Sequence, residues 1–327
     1  MKSRMTTGNR KMPTLDIIVP HYEEPWEVGQ PFFDMLGCQR GISFDDIRVI
    51  LVHDGTKPFP VRKFARYPFT VQQYALDYSK GVSAARNYGL DMATAEWVSF
   101  SDFDDTYSNV YALMGILEQT KNDVDYMWTP FWSEARTKDG GLTAREQGEN
   151  ITWIHGKYFR RQWLVDNEIR FPEGIHYSED SAFGAIVNEL AADGRRGKIK
   201  SGFPAYIWVY RENSVCLNPE NEERNMTGFI ERNFWVVEEF KRRNIPRVRM
   251  IGRMFADAYH AFHQKERKFP EHETYFASKA KQYIPELKQN TGEDMKKIMH
   301  AAGAAFKGKE MEFNETFTEW VNRIRMD

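Results

Sequence analysis

The chain is poor in cysteine, with only Cys38 and Cys216 among 327 residues. Two thiols build neither a disulfide framework nor a cysteine-rich zinc site, and they suit a reducing, cytoplasmic setting. No apolar run approaches the ~20 residues that span a bilayer. The polar, basic start, residues 1–12, has no hydrophobic segment of the kind a secretory signal needs, and it reads as a disordered tail. An excess of one charge is also lacking. Forty-five basic against 47 acidic residues leave a formal net charge of -2, so nothing global calls for nucleic acid or an anionic membrane. Local clusters such as Lys241-Arg242-Arg243 read as solvated helix faces. Repeats, low-complexity tracts and long linkers are absent. What remains is 41% hydrophobic residues over a length that holds one large α/β domain with an appendage, or two ordinary domains.

Short β-branched runs at Leu15 to Pro20, Ile47 to Val52, Phe69 to Tyr74 and Trp97 to Ser101 read as strands. Between and after them, Phe32 to Cys38, Gly81 to Met92 and Asn109 to Gln119 read as helices. This alternation predicts an α/β fold, with a mostly parallel sheet covered by helices on both faces. Such sheets bind ligands at the carboxyl ends of their strands, and Glu23, Asp54 and Asp102 to Asp105 all fall at that end. Beyond Asp125 the spacing predicts an aromatic strand over Tyr126 to Trp132, a mobile polar loop over Thr137 to Glu149 and a strand over Ile151 to Arg160. Helices over Arg161 to Asn167 and Ser181 to Ala192, and a last strand over Ala205 to Tyr210, follow. From Pro219 the pattern is wholly helical, punctuated by Pro246, Pro270, Pro285, Gly292 and Gly308. Helices are expected over Glu222 to Asn244, Val248 to Lys265, Glu273 to Tyr283, Asp294 to Ala305 and Asn314 to Ile324. The domains are thus expected over 13–218 and 219–327.

The chemistry concentrates where the strand from Trp97 ends in Asp102, Asp104 and Asp105. Three carboxylates in four positions repel one another unless a cation or solvent relieves them, and hard divalent ions prefer oxygen ligands. The same acids also fit a turn that caps the following helix.

Five motifs then stand in order: Ile17-Ile-Val-Pro20-His-Tyr22-Glu23, Val52-His53-Asp54-Gly55-Thr56, Lys80-Gly81-Val-Ser-Ala-Ala-Arg86-Asn87, Ser99-Phe-Ser-Asp102-Phe-Asp104-Asp105 and Glu179-Asp180. Together they resemble the inverting family-2 glycosyltransferases of GT-A fold, over about residues 14–216. The resemblance implies a Rossmann-like GT-A domain, with the helical appendage outside it. It implies that Pro20, Tyr22 and Glu23 line a nucleotide pocket and that Asp54 accepts a hydrogen bond from the base. His53 replaces the first acid of the family's Asp-Asp-Gly-Ser motif. Arg86 and Asn87 would support the diphosphate, Asp102 the donor sugar or ribose, and Asp104 the metal, with Asp102 as its companion. Asp180 would be the catalytic base. Glu179, His155 and His176 are weaker candidates for acceptor contact or support, and either histidine also fits a structural role.

The implied cofactor is Mn²⁺ or Mg²⁺, and the implied partners are a UDP-sugar donor and a glycan acceptor such as a surface polysaccharide. Peripheral membrane contact stays open, and the helical tail is a candidate dimerisation surface. Two alternatives remain at this stage. Asp102-Phe-Asp104-Asp105-Thr106 also fits a haloacid-dehalogenase-type phosphatase with Asp102 as nucleophile, and a nucleotide-sugar-binding protein without catalysis would keep the same motifs.

Overall fold

The computed structural model describes residues 12–148, 150, 152–191, 196–198, 204–212, 214, 216–266, 268–306 and 309–326. The tail expected over 1–12 lies outside them except for Met12, as do Glu149, Ile151 and Ala192. The chain divides into two compact units, one running to Gly174 and joined by Phe183–Glu212, the other made of Ile175–Ala182 and the chain from Asn213.

The first unit is built on β1 (Leu15–His21), α1 (Trp26–Gly37), β2 (Ile47–His53), β3 (Thr70–Ala75), α2 (Val82–Met92) and β4 (Trp97–Phe100). Strands β4, β1, β2 and β3 lie side by side and parallel, with Leu15 opposite Ile47 on one flank and Trp97 on the other. Successive side chains of β1 alternate between two covered faces, which is why the run is apolar apart from Asp16 and His21. Leu15, Ile17 and Val19 join a core with Phe32, Phe33 and Leu36 of α1. Ile18 faces α2 so closely that a Cβ on Gly89 would lie 2.4 Å from its methyl group. Asp16 is fully buried on that second face, yet Arg48 and the amides of Thr94 and Ala95 serve its carboxylate.

The sheet is completed by β6 (Tyr126–Trp128), β9 (Lys157–Arg160) and β10 (Arg196–Lys198), in the order β10-β6-β9-β4-β1-β2-β3, with β9 antiparallel to both neighbours. A second sheet, ordered β5-β11-β7-β8, joins β5 (Thr106–Tyr107), β7 (Phe131–Arg136), β8 (Leu142–Gln147) and β11 (Tyr206–Trp208). The GT-A-like α/β architecture, mixed and mostly parallel, is therefore present as expected.

Several details differ from the sequence-based expectations. Helix α1 starts at Trp26 rather than Phe32, because Pro31 is accommodated inside it at the loss of one backbone bond. The segment expected as a mobile loop after Thr137 instead carries β8, which pairs antiparallel with β7 and, exposed over all but its last residue, shows no apolar alternation. The aromatic stretch from Tyr126 splits at Thr129-Pro130 into strands of two different sheets. The strand expected over 151–160 is confined to β9, and the helix expected from Asn109 is α3, Ala112–Gln119.

Two more helices follow, α4 (Arg161–Asp166) and α5 (Glu179–Leu190). The first turn of α5 belongs to the second unit and its remainder to the first, where Phe183 stacks on Phe171 at 4.1 Å. The second unit otherwise consists of α6 (Glu222–Arg242), α7 (Val248–Phe262), α8 (Pro270–Ala280), α9 (Ile284–Leu287), α10 (Gly292–Ala305) and α11 (Phe317–Met326). Their apolar faces enclose Ile230, Phe234, Phe255, Phe276 and Trp320. Among the described residues, no helix is long and apolar enough to cross a membrane.

Candidate active site

At the carboxyl end of β1, Pro20 is buried, Tyr22 is 46% exposed and Glu23 is exposed. The intervening His21 turns inward, its Nε2 lying 2.8 Å from the Glu24 carbonyl. At the end of β2, Gly55 has φ +73°, and a Cβ there would stand 2.2 Å from the Ser79 nitrogen. Glycine thus lets the 79–81 backbone close over the strand exit. Asp54 ties it down, accepting from the Ser79 hydroxyl and from the amides of Lys80 and Gly81 at 2.7–2.9 Å. Those three donors leave one lone-pair site on the Asp54 carboxylate for a ligand donor.

Helix α2 starts from this loop and delivers Arg86 and Asn87, both buried. Arg86 donates to Asp102 at 2.7 Å and lies over the Phe171 ring at 5.1 Å. Asn87 clamps the Phe171 backbone from both sides and also reaches Glu173. The structure therefore brings Arg86 onto the acidic loop and gives Asn87 a tying role.

The acidic loop is aimed by Phe103. Its ring fits where α1 has Gly29, stacks on Phe59 at 5.7 Å and packs edge-on to His21. With Phe103 3% exposed in the core, Asp102 and Asp104 keep partly exposed carboxylates, whereas Asp105 is buried. Asp105 accepts from the Tyr206 hydroxyl and the Val209 amide. His155 meets the same acid, its Nδ1 3.4 Å from Asp105 Oδ2. Asp104 instead faces Arg211, whose Nε is 2.8 Å from Oδ2 but is not aligned as a hydrogen bond, so the contact is ionic. Arg211 also approaches Glu24 at 3.5 Å.

Electrostatics follow from this crowding. Burial resists ionisation of Asp102, but Arg86, His155 and Arg211 outweigh it and hold the carboxyl below its usual range. Burial and the neighbouring Asp102 push Asp104 up to about 6. The same two causes, with Asp104 added, raise Asp105 well above the carboxylate range. Burial lowers His155 to about 4, so its ring is neutral at physiological pH.

Glu179, Asp180 and the exposed His176 lie in the segment that belongs to the second unit. Ser178 precedes them at φ +64°, a left-handed conformation that a non-glycine residue holds only when its surroundings fix it. Asp180 accepts from the Ser181 amide at the start of α5.

Residues 16–175 match the family described as Glycosyl transferase family 2. This chain belongs to glycosyl transferase family 2. It is 29% identical over 205 residues to the Bacillus subtilis minor teichoic acid biosynthesis protein GgaB, a match covering 56% of this chain and 22% of that protein. With the uncharacterized glycosyltransferase EpsJ of B. subtilis it shares 26% identity over 256 residues, 68% of either chain. Residues 1–349 of S. aureus TarS have the same fold, with a TM-score of 0.63 at 17% identity over 96% of this chain and 90% of that one. Family membership makes the chain a glycosyltransferase and overturns the phosphatase alternative.

The acidic loop of this family-2 enzyme fits a divalent cation. Donor atoms of Asp102, Asp105 and His155 all lie within 4.8 Å of one another, and the buried His155 Nδ1 has no hydrogen-bond partner. Two carboxylates and a neutral imidazole suit Mn²⁺ better than Ca²⁺. This set shares Asp102 with the pair expected from the sequence, while Asp104 meets Arg211. Glu24 and Arg211 are not among the residues expected from the sequence, and Asp105 is expected there only as a member of the acidic cluster, without a ligand role. The signal that could have found Arg211 is a cation directly after the last expected strand, in a chain whose earlier strand exits are acidic.

Proposed function

We propose that this family-2 glycosyltransferase moves a sugar from a UDP-linked donor to a hydroxyl of a cell-surface polysaccharide or teichoic acid, with inversion at the anomeric carbon. The observation that carries the reading is the interleaving of Arg86 and Arg211 with Asp102, Asp104, Asp105 and His155 at the carboxyl end of a largely parallel sheet. Such a place suits an anion and a cation together, as a metal-bound diphosphate requires. TarS, of the same fold, has been solved with UDP and with UDP-GlcNAc, and GgaB is named for teichoic acid synthesis.

A bound divalent ion neutralises the charge that develops on the diphosphate as the glycosidic bond breaks. Asp102, Asp105 and His155 would hold it, with Asp104 the further acid that the motif implies. Arg86 fixes the Asp102 carboxylate from behind, and Arg211 is placed to exchange Asp104 for a phosphate oxygen. Pro20, Tyr22, Glu23 and Asp54 border the nucleotide side. Asp180, by its place in the motif series, takes the proton of the acceptor hydroxyl as that oxygen attacks opposite the leaving group. Use of a UDP-sugar implies the cytoplasmic pool.

The test is a thermal-shift screen of UDP-, GDP- and dTDP-sugars with and without Mn²⁺, followed by assay of nucleotide release. A UDP-sugar should stabilise the protein only when Mn²⁺ is present, and Asp180→Asn should keep that shift while losing transfer. Stabilisation by a GDP- or dTDP-sugar alone would refute the donor assignment, and binding without any turnover would leave a binding protein.

A further inference from the structure

Within the helical unit, the segment carrying Asp180 is pressed against α6. Gly228 marks the contact, because a Cβ there would lie 2.8 Å from Tyr177 Cβ and 2.9 Å from the Tyr177 nitrogen. Only glycine allows that approach. One helical turn further along α6, and so on the same face, comes Arg232. Asp180 is three residues beyond Tyr177, in the first turn of α5.

Arg232 is short of anions. Its side chain is 16% exposed, its guanidinium lies over the Phe229 ring at 5.0 Å, and its Nε is buried without a hydrogen-bond partner. Asp257 on α7 lies 3.8 Å away, too far for a hydrogen bond, and is already engaged by Arg253 at 2.7 Å. Two arginines therefore share one aspartate that is 3% exposed. A buried cation is tolerated only where charge balances it, and Asp180 is a further acid whose charge acts on Arg232. Burial lowers Arg232 below the usual arginine range and Arg253 adds to this, while Asp257, Asp180 and Tyr177 oppose it. Tyr177 senses the same group. Burial, Cys216, Asp180 and Glu179 push its phenol up to about 12, with Arg232 opposing.

We propose that Arg232 is a positioning residue for Asp180, holding the carboxylate ionised and oriented for proton abstraction. The inference rests on the reading of Asp180 as the base. A guanidinium stays charged at any working pH, so it makes a constant counter-ion. Among the described residues, Glu179, Tyr177 and Cys216 near the Asp180 segment carry negative charge or none, and Arg232 is a cation acting on Tyr177 and Asp180, with Asp257 and Arg253 beside it.

The test follows nucleotide release from UDP-GlcNAc, UDP-glucose and UDP-galactose by the full chain with Mn²⁺, water serving as acceptor, across pH 5 to 9. Arg232→Gln should move the acid limb of kcat upward by about one pH unit and lower turnover about tenfold below it. The Mn²⁺-dependent thermal shift given by UDP should stay unchanged. Arg232→Lys should recover most of the limb's position. Asp257→Asn leaves Arg232 to Asp180 alone, so its limb should move downward, and it serves as the second variant if Arg232→Gln does not fold. Unmoved limbs in the folded variants overturn the proposal even where Asp180→Asn is inactive. Turnover retained by Asp180→Asn overturns the assignment of the base instead.

Discussion

His53 Nδ1 stands 2.9 Å from His21 Nδ1, so two buried rings at adjacent strand exits meet across a single proton. Gln73 decides which ring carries it. The Gln73 amide exchanges two hydrogen bonds with the Phe59 backbone, which fixes Oε1 as the acceptor facing His53 Nε2 at 2.9 Å. His53 therefore donates from Nε2 and accepts at Nδ1 from His21. A further proton on His53 would set two N–H groups head to head in a site with no exposure.

That arrangement makes stability pH-dependent. Burial lowers His53 to about 4, with the His21 charge adding to this and the Gln73 bond opposing it. The unfolded ring titrates near 6.5. Its contribution is complete above that pH and is lost as pH falls from about 6.5 to about 4, because the unfolded chain binds the proton first. The full loss is about 3 kcal/mol. Urea unfolding at pH 7.5, 6.0 and 5.0 should show a stability slope for the native chain that flattens by about 1.4 kcal/mol per pH unit in His53→Gln. An identical slope in both proteins would place the acid sensitivity elsewhere.

Much of this site can be read from the chain because each strand exit is a short run of polar residues after an apolar one. Pro20, Asp54 and Asp102 are all visible in that way. What the sequence hides is juxtaposition. His155 and Asp105 are fifty positions apart, and their meeting depends on how β9 inserts antiparallel between β4 and β6. Arg211 follows β11, which lies inside the strand expected over Ala205 to Tyr210, but nothing in the sequence shows that its side chain meets Asp104. Strand β8 escaped because its exposed residues carry no buried stripe, so its signal lies in pairing with β7 rather than in pattern.

Asp104 should matter for transfer and little for stability. Its carboxyl is pushed up to about 6 by burial and by Asp102, so the fold gains little from its charge. Asp104→Asn removes that charge while keeping the shape. Turnover should drop roughly 100-fold, and Mn²⁺-dependent stabilisation by UDP should weaken, with chemical denaturation changed by less than about 1 kcal/mol. A large stability loss would make Asp104 a structural partner of Arg211 instead.

Arg86 should show the opposite balance. Its side chain is 4% exposed and its partner Asp102 27% exposed, so the pair is only partly screened. Arg86→Met strands the carboxylate, at a cost of about 3 kcal/mol, the lower end expected for breaking a buried pair. Asp102→Asn in the same chain removes the stranded charge and should restore about half of the loss or more. Activity should not return, because neither the cation nor the acid is regained. Denaturant midpoints of the two single variants and the double variant test this directly. Strictly additive losses would show that the two side chains do not interact.

Gly29 offers a way to disturb the acidic loop without touching an acid. A Cβ on α1 at this position would stand 2.2 Å from Phe103 Cζ. Replacing a helix-interior glycine by alanine ordinarily gains about 1 kcal/mol, whereas forcing a methyl group into a packed core costs about 1–3 kcal/mol. The overlap should win here, because Phe103 is held between Phe59 and the His21 edge and has no open side to move into. Gly29→Ala should therefore lower the thermal midpoint by a few degrees. It should also weaken Mn²⁺-dependent UDP binding, since Asp102 and Asp104 flank the displaced ring. Phe103→Leu added to Gly29→Ala makes room for the methyl group and should recover much of the midpoint. Binding that stays at the native level in Gly29→Ala would mean that the acids are aimed by Arg86 and Arg211 rather than by the ring between them.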